Sequence, residues 1–284
     1  MLGNDIEELL KEKRMTYCVS DKEVDITDYK VLEKFGKDKK VEWIINCSGY
    51  TQVDRAEEER EESFRINQDG VRNIALFSEK RQVRLIHVSS DYVFDGKKDV
   101  HDSYTEEDVP NPLSVYGRSK LAGEFEIRNR INYYYIIRTS WLYGANCPNF
   151  VCSMLKLFKE RDLVKVVDDQ WGSPTYTRDL TELILKIIKS ESNQYGIYHF
   201  SNEGVTTWYR FAREIYYQAK KLGLIGKNKE VKIIPIKTEG YPTAAVRPKN
   251  SILSKEKIKQ RFNVNIRKWD ESLKIFLHTI LQLC

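Results

Sequence analysis

The chain has 284 residues, 41% of them hydrophobic, and its 47 Lys and Arg against 42 Asp and Glu give a formal net charge of +5. This length suits one large domain or a main domain with a smaller attached part. The two signs of charge are mixed along the chain, which does not indicate a nucleic-acid partner. No run approaches the roughly 20 apolar residues that cross a bilayer, and the N-terminus lacks a signal-peptide pattern. We therefore predict a cytoplasmic protein with neither a nucleic-acid nor a membrane partner.

The first predicted element is a helix, Ile6 to Lys13, with no predicted strand before it. In a dinucleotide-binding fold, the first strand lies at the centre of the sheet, and its glycine-rich turn places the pyrophosphate at the N-terminus of the next helix. Gly3 could be only the last glycine of such a turn. We therefore expect a truncated start that lacks the first strand and most of the glycine-rich loop. The alternative is a remodelled fold that has given up cofactor binding.

Short apolar runs and stretches of helical periodicity alternate as far as Arg138. This alternation is typical of a parallel sheet with crossover helices. The predicted strands are Tyr17–Ser20, Val41–Cys47, Arg84–Ser89 and Tyr133–Arg138, and the predicted helices are Asp28–Gly36, Glu61–Lys80 and Ser114–Arg130. The fold class is therefore α/β, a Rossmann-like doubly wound parallel sheet.

A different pattern follows Arg138, with helices separated by short strands and Pro-containing loops. The predicted helices are Asn149–Arg161, Arg178–Ser190, Thr206–Leu222 and Trp269–Leu283. We predict a dinucleotide-binding part over residues 1–140 and a smaller, mainly substrate-binding lobe over residues 141–284, packed together as one body. The five cysteines have no C-x-x-C or Cys-His spacing, so no metal site is predicted.

Tyr116 and Lys120 form a Y-x-x-x-K motif, which places both side chains on one face of a helix. A nearby ammonium lowers the pKa of a phenol, so such a Tyr can give a proton to the alkoxide that forms when hydride reaches a carbonyl. The same spacing occurs at Tyr216/Lys220 and at Tyr217/Lys221. Those two pairs follow no catalytic strand end, and we interpret them as helix surface or packing.

The strand that ends at Ser89 places Ser89 and Ser90 where ligands bind in open α/β sheets. A serine hydroxyl at that edge can hydrogen-bond a substrate carbonyl and stabilise the charge that develops on its oxygen. The plain alternative is that the two serines only cap the strand. Because Tyr116 and Lys120 follow downstream, we favour the catalytic interpretation.

Five blocks follow one another in the sequence: Val88 to Gly96, Asn111 to Glu124, Arg138 to Gly144, Asp169 to Thr175, and Arg247 to Ser251. In this order they resemble the dTDP-4-dehydrorhamnose reductase family of the extended short-chain dehydrogenase/reductase class, and the resemblance covers nearly the whole chain. The resemblance implies that Ser90 polarises the carbonyl, that Tyr116 donates the proton and that Lys120 is its partner. The family often has Thr at the position of Ser90, and either residue keeps the hydroxyl.

The resemblance also implies two sets of binding residues. Those for the cofactor are Gly3, Asp25, Ile26, Asn46, Cys47, Ser48 and Tyr50, together with Tyr116 and Lys120. Those for a nucleotide-sugar are Ser90, Asp91, Tyr92, Trp141 and Arg247. Where the family more often has alanines, this chain has Cys47, Ser48 and Gly49, which are also small residues.

The implied reaction is reduction of the 4-keto group of dTDP-4-dehydro-L-rhamnose by NADPH or NADH, giving dTDP-L-rhamnose. A homodimer is compatible with the family. Two alternatives remain open, a non-catalytic regulatory or binding subunit on the same fold and a nucleotide-sugar epimerase or dehydratase of the same class. The Asp169–Thr175 and Arg247–Ser251 blocks speak against an epimerase or dehydratase.

Overall fold

A computed structural model describes residues 1–19, 24–146 and 148–283. The helices are α1 (Leu2–Glu12), α2 (Tyr29–Gly36), α3 (Arg60–Phe64), α4 (Val71–Arg81), α5 (Val115–Arg128), α6 (Phe150–Glu160), α7 (Thr177–Lys189), α8 (Trp208–Lys221), α9 (Glu256–Phe262) and α10 (Trp269–Leu283). The strands are β1 (Trp43–Asn46), β2 (Arg84–Ser90), β3 (Tyr134–Thr139), β4 (Leu142–Tyr143), β5 (Leu163–Val167), β6 (Trp171–Gly172), β7 (Thr175–Tyr176), β8 (Gly196–Phe200), β9 (Thr206–Thr207) and β10 (Lys232–Ile236). A π-helical stretch, Arg65–Gly70, lies between α3 and α4.

The central sheet of the described residues has the strand order β1-β2-β3-β8, and all its neighbouring strands are parallel. Residues on both faces of β2 and β3 are fully buried, including Leu85, Ile86, Ile136 and Ile137. Near-continuous apolar runs of this kind are typical of parallel strands that are covered on both faces. The predicted parallel α/β sheet is confirmed.

Helices cover both faces of this sheet. On one face, Leu2 and Ile6 of α1 and Ile184 of α7 share a buried apolar cluster with Ile86. On the other face, Ile74 of α4 and Ile127 of α5 pack with Leu85 and Ile136. The sheet is therefore doubly wound, and α5 is held against the strand that ends at Ser90.

A separate apolar cluster lies outside this sheet, and its buried members all follow residue 141. It includes the fully buried rings of Phe158, Phe211 and Phe276, from α6, α8 and α10. The division into residues 1–140 and 141–284 stays a prediction. None of the helices that the structure describes is both long and apolar enough to cross a bilayer.

Two predicted elements differ from the structure. Tyr17–Val19 form no strand, and Tyr17 and Val19 are exposed because no neighbouring strand covers them within the described residues. Ser20, the last residue of that predicted strand, lies outside the described residues. The predicted helix Glu61–Lys80 is instead α3, the π-helical stretch and α4 in succession. Apolar periodicity alone did not reveal the wider turn.

Candidate active site

The end of β2 and the start of α5 place Ser90 and Tyr116 side by side. Ser90 ends β2, and its hydroxyl accepts a hydrogen bond from the Tyr92 backbone N–H at 3.2 Å. The side chain of Ser114 caps α5, with Tyr116 in the first turn. A Cβ at Gly117 would lie 2.2 Å from the carbonyl oxygen of Tyr92. Glycine therefore lets the helix touch the backbone of the turn that follows β2.

The Tyr116 side chain lies beside that of Ser90, and its ring meets that of Tyr92 edge to face at 5.4 Å. Burial raises the pKa of Tyr116 to about 12, an effect that Ser90 opposes and Asp91 adds to. The expectation that an ammonium lowers the pKa of this phenol is wrong for this structure, because burial dominates. The phenol is therefore protonated at neutral pH, which is the form that can donate a proton.

Lys120 lies one turn further along α5 and is 5% exposed. Its Nζ donates to the backbone carbonyl of Val88 at 2.7 Å. Burial lowers the pKa of Lys120 to about 8, while Glu124 and then Cys47 raise it. Glu124 is itself fully buried. A carboxylate one helical turn away thus helps to keep the Lys120 ammonium charged.

Glu124 joins α5 to two strands of the sheet. Its carboxylate accepts from Ser89 Oγ at 2.6 Å and from Nε and one terminal nitrogen of Arg138 at 2.9 and 2.6 Å. Arg138 is 1% exposed. A buried pair of this kind is stable only when both partners are present, because either one alone would be an uncompensated charge.

The predicted cofactor residues after β1 form a hydrogen-bonded loop. The side-chain oxygen of Asn46 accepts from the backbone N–H of Ser48 at 3.0 Å, and its amide nitrogen lies 3.0 Å from Nδ1 of His87. Burial raises the pKa of the Cys47 thiol to about 12. Tyr50 N–H donates to the side chain of Asn67 at 2.9 Å. The π-helical stretch that contains Asn67 therefore fixes this loop beside α5.

All the predicted substrate residues except Ser90 border one narrow cleft. Its lining comprises Asp91, Tyr92, Trp141, Gln170, Trp208, Arg247, Pro248 and Ser251. Trp141 has a φ of 48°, a left-handed conformation that is rare for a bulky residue. Its ring stacks on Trp208 with 3.6 Å between ring centroids. Ser90, next to Asp91, joins this cleft to the Tyr116 side.

Arg247 is held by a two-pronged ion pair with Asp54, at 3.0 and 2.6 Å. Hydrogen bonding from Arg247 lowers the pKa of Asp54, and burial opposes this shift. The side chain of Arg247 is 22% exposed. The guanidinium is therefore oriented in advance at the wall of the cleft.

Three predicted cofactor residues make their contacts elsewhere. Gly3 is exposed in the first turn of α1, where a Cβ would meet nothing within 4 Å. Asp25 accepts from the backbone N–H of Thr27 at 2.9 Å, and Ile26 packs against Gly70 of the π-helical stretch. Within the described ranges, no group of three or more His, Cys, Asp or Glu residues is placed to hold a metal ion.

Four residues that support the site were not identified from the sequence. They are Asp54, Asn67, Glu124 and Trp208. Glu124 offered a signal, since it follows Lys120 by four residues on the same helix and therefore shares its face. Asp54, Asn67 and Trp208 gave none, because the residues they contact are distant in the sequence.

Comparison with known proteins supports the resemblance drawn from the motifs. The model of the RmlD substrate binding domain family matches residues 1–282. The dTDP-4-dehydrorhamnose reductase of Aggregatibacter actinomycetemcomitans is 39% identical over 260 residues, which cover 89% of this chain and 86% of that protein.

Two crystal structures are similar over nearly the full length. That of the dTDP-4-dehydrorhamnose reductase of Bacillus anthracis in complex with NADP is 38% identical, with a TM-score of 0.90 over 98% of this chain and 95% of that chain. The Clostridium acetobutylicum structure is 37% identical, with a TM-score of 0.91 over 99% and 96% of the two chains. The chain therefore belongs to the dTDP-4-dehydrorhamnose reductase family.

Proposed function

We propose that this protein reduces the 4-keto group of dTDP-4-dehydro-L-rhamnose to a hydroxyl, giving dTDP-L-rhamnose, with NADPH or NADH as the reductant. Family membership supports the reaction. The observation that carries the proposal is the contact between Tyr116 and Ser90 at the edge of the parallel sheet, directly beside the cleft bordered by Trp141 and Arg247. Proton donor, carbonyl partner and nucleotide-sugar cleft thus adjoin one another.

Ser90, Tyr116 and Lys120 each have a separate role in this reaction. Ser90 donates a hydrogen bond to the substrate carbonyl oxygen and stabilises the negative charge that develops there. The O–H bond of Tyr116 breaks, and its proton moves to that oxygen. The nicotinamide, when bound, supplies the hydride that forms the new C–H bond. Lys120 lies one helical turn from Tyr116 and provides positive charge on the same side.

The residues around Lys120 fit the ribose and nicotinamide end of a dinucleotide. An ammonium has three N–H donors, and one of those on Lys120 is used by Val88. The remaining donors suit a pair of ribose hydroxyls. A Cβ at Gly49 would lie 3.0 Å from Asn67 Oδ1 and 3.7 Å from Lys120 Nζ, so the small residue keeps this space open. We assign the cofactor to the groove between the Asn46–Tyr50 loop and α5. The assignment of Gly3, Asp25 and Ile26 to the cofactor rests on the family resemblance alone.

The nucleotide-sugar end is assigned to the cleft, with Trp141 and Arg247 as its main contacts. An aromatic face suits the thymine base, and a guanidinium suits a phosphate group. We further propose that the protein acts in the cytoplasm and, as the family resemblance suggests, as a homodimer. Light scattering on the purified protein tests the dimer.

The function is tested by following NADPH oxidation with dTDP-4-dehydro-L-rhamnose and identifying the product by NMR. Binding of NADPH and of NADH is measured separately by quenching of tryptophan fluorescence. We expect saturable cofactor binding and formation of dTDP-L-rhamnose. Cofactor binding without turnover would instead favour the non-catalytic subunit. An epimerised 4-keto sugar formed without net NADPH oxidation would favour the epimerase, and formation of a 4-keto-6-deoxy sugar from a dTDP-hexose that has its 4- and 6-hydroxyls would favour the dehydratase.

A further inference from the structure

Trp208 lies in the wall of the cleft, at the first position of α8. Its ring is stacked on that of Trp141, with 3.6 Å between the ring centroids and 12° between the ring planes. Carbon atoms in van der Waals contact are separated by about 3.5–4.0 Å. The two indoles are therefore in direct contact, and no third ring fits between them.

The backbone of Trp141 shows why its ring needs support. Its φ of 48° is left-handed, and a bulky residue keeps such a conformation only where its surroundings impose it. Two of its neighbours pack directly on the indole. The ring of Trp208 covers one face, and the backbone of Gly172 lies so close that a Cβ there would be 2.7 Å from Cε2 and 2.8 Å from Cζ2. Packing against these neighbours therefore sets the direction of the Trp141 side chain.

Trp208 is itself fixed by the starts of two helices. The side chain of Thr207 caps α8 and donates a hydrogen bond to the carboxylate of Asp168. Phe150, the first residue of α6, packs against Trp208 with 4.6 Å between the ring centroids. All three aromatic rings, those of Trp141, Trp208 and Phe150, lie against the apolar cluster that α6, α8 and α10 form. Trp208 thus connects Trp141 to a rigid part of the molecule.

The support of a binding residue affects the affinity for its ligand. A side chain that rotates freely loses this freedom when a ligand binds, and the loss weakens binding. An indole that is already held in place loses little more. Arg247, the other main contact assigned to the nucleotide-sugar, is oriented in advance by Asp54. Trp208 has the corresponding position behind Trp141.

We propose that Trp208 is a positioning residue, which raises the affinity for the nucleotide part of the substrate by holding the Trp141 ring in place before the ligand binds. Trp208 acts through Trp141 and takes no part in hydride or proton transfer. Its loss should therefore raise KM and leave kcat nearly unchanged. The identity of the ligand rests on the function proposed above, and dTDP serves as the probe because it binds without turnover.

A double-mutant cycle with Trp208→Leu and Trp141→Leu tests this role, with the affinity for dTDP measured by calorimetry. Trp208→Leu alone should weaken binding roughly threefold to tenfold, the effect of one side chain that is no longer ordered in advance. In the Trp141→Leu background the same change should have almost no effect, because residues that act through one another are not additive. Trp208→Phe should restore most of the affinity, since a phenyl ring keeps a stacking face. The matched control is Tyr209→Leu, at the next position of α8, because Tyr209 does not border the cleft.

Far-ultraviolet circular dichroism reports on the stack itself. Two indoles in close contact couple their electronic transitions and give a pair of bands of opposite sign. The wild type should show this pair of bands. Trp208→Leu and Trp141→Leu should lose it, whereas Tyr209→Leu should keep it. Absence of the bands in the wild type would overturn the proposal.

An equal loss of affinity from Trp208→Leu in both backgrounds would mean that Trp208 contacts the ligand itself, and this overturns the positioning role. Unchanged affinity in Trp208→Leu, or an equal loss in Tyr209→Leu, overturns it as well. If Trp208→Leu does not fold, Trp208→Met takes its place in the cycle and is interpreted in the same way.

The positioning role and the proposed reaction can fail separately. Coupling between Trp208 and Trp141, combined with no NADPH oxidation by the wild type, would support the role of Trp208 and reject the reaction. NADPH oxidation by the wild type without this coupling would reject the role alone. Failure of the wild type to bind dTDP would overturn the role together with the assignment of the nucleotide to the cleft.

Discussion

The two walls of the site are built by different means. On the Tyr116 side, helix and strand touch at backbone level, since Gly117 approaches the carbonyl of Tyr92, and Lys120 donates to the carbonyl of Val88. On the Trp141 side, long side chains hold one another, as in the ring stack on Trp208 and the ion pair of Arg247 with Asp54. The first construction fixes reacting atoms, and the second can adapt to a large ligand.

Of the changes that test this contrast, Tyr116→Phe should have the largest effect on activity. Removing the proton donor should lower kcat at least a hundredfold, within the range typical of general acid catalysis, while the fold stays intact. Turnover is measured by NADPH oxidation and folding by circular dichroism. The matched control is Tyr217→Phe, because Tyr217 is 55% exposed on α8 and has Lys221 four residues later. Near-normal turnover in Tyr116→Phe would remove Tyr116 from the chemistry.

Arg247→Ala tests the Trp141 side of the site. We expect KM for the nucleotide-sugar to rise roughly tenfold to a hundredfold with little change in kcat, because a charged hydrogen bond to the ligand is lost. Asp54→Asn should raise KM less, since Asp54 orients the guanidinium and does not itself border the cleft. Arg213→Ala, an exposed change on α8, serves as the control. A large fall in kcat with an unchanged KM would place Arg247 with the reacting groups instead.

The smallest expected effect is a shift in the pH dependence of kcat/KM. The Lys120 ammonium is the active form, and its pKa is lowered to about 8, so kcat/KM should fall as the pH rises through about 8. Glu124 raises that pKa, so in Glu124→Gln the alkaline limb should move to lower pH. Circular dichroism checks that this variant folds, because Arg138 loses its carboxylate partner. Glu126→Gln is the control, because Glu126 instead pairs with Arg72 on the outer side of α5. An unmoved limb in Glu124→Gln would restrict Glu124 to a purely structural role.

Local patterns were sufficient to predict the Tyr116 side of the site. Strand β2 and helix α5 lie within two residues of their predicted ends, because apolar periodicity and the Ser114 cap act over short distances. The motif then placed Tyr116 and Lys120 on one helix face. The structure brings Tyr116 to Ser90, as the strand-end argument predicted.

The Trp141 side of the site could not be predicted in the same way. Asp54 and Arg247 are 193 residues apart, and nothing in either neighbourhood indicates the pair. The sequence does not indicate the left-handed backbone of Trp141 either, since a bulky residue adopts this conformation only where packing imposes it. The pKa of Tyr116 was misjudged for a related reason, because its burial depends on the assembled fold.

The π-helical stretch also limits how the length of this protein can change. It directs Asn67 to the Asn46–Tyr50 loop and to Ser119, while Ile74 on the following α4 faces the sheet. An α-helix rotates by about 100° per residue. Deleting one residue from Arg65–Gly70 would restore regular winding but turn the apolar side of α4 away from the sheet. A single-residue deletion or insertion in this stretch would therefore have to be compensated elsewhere in the same helix.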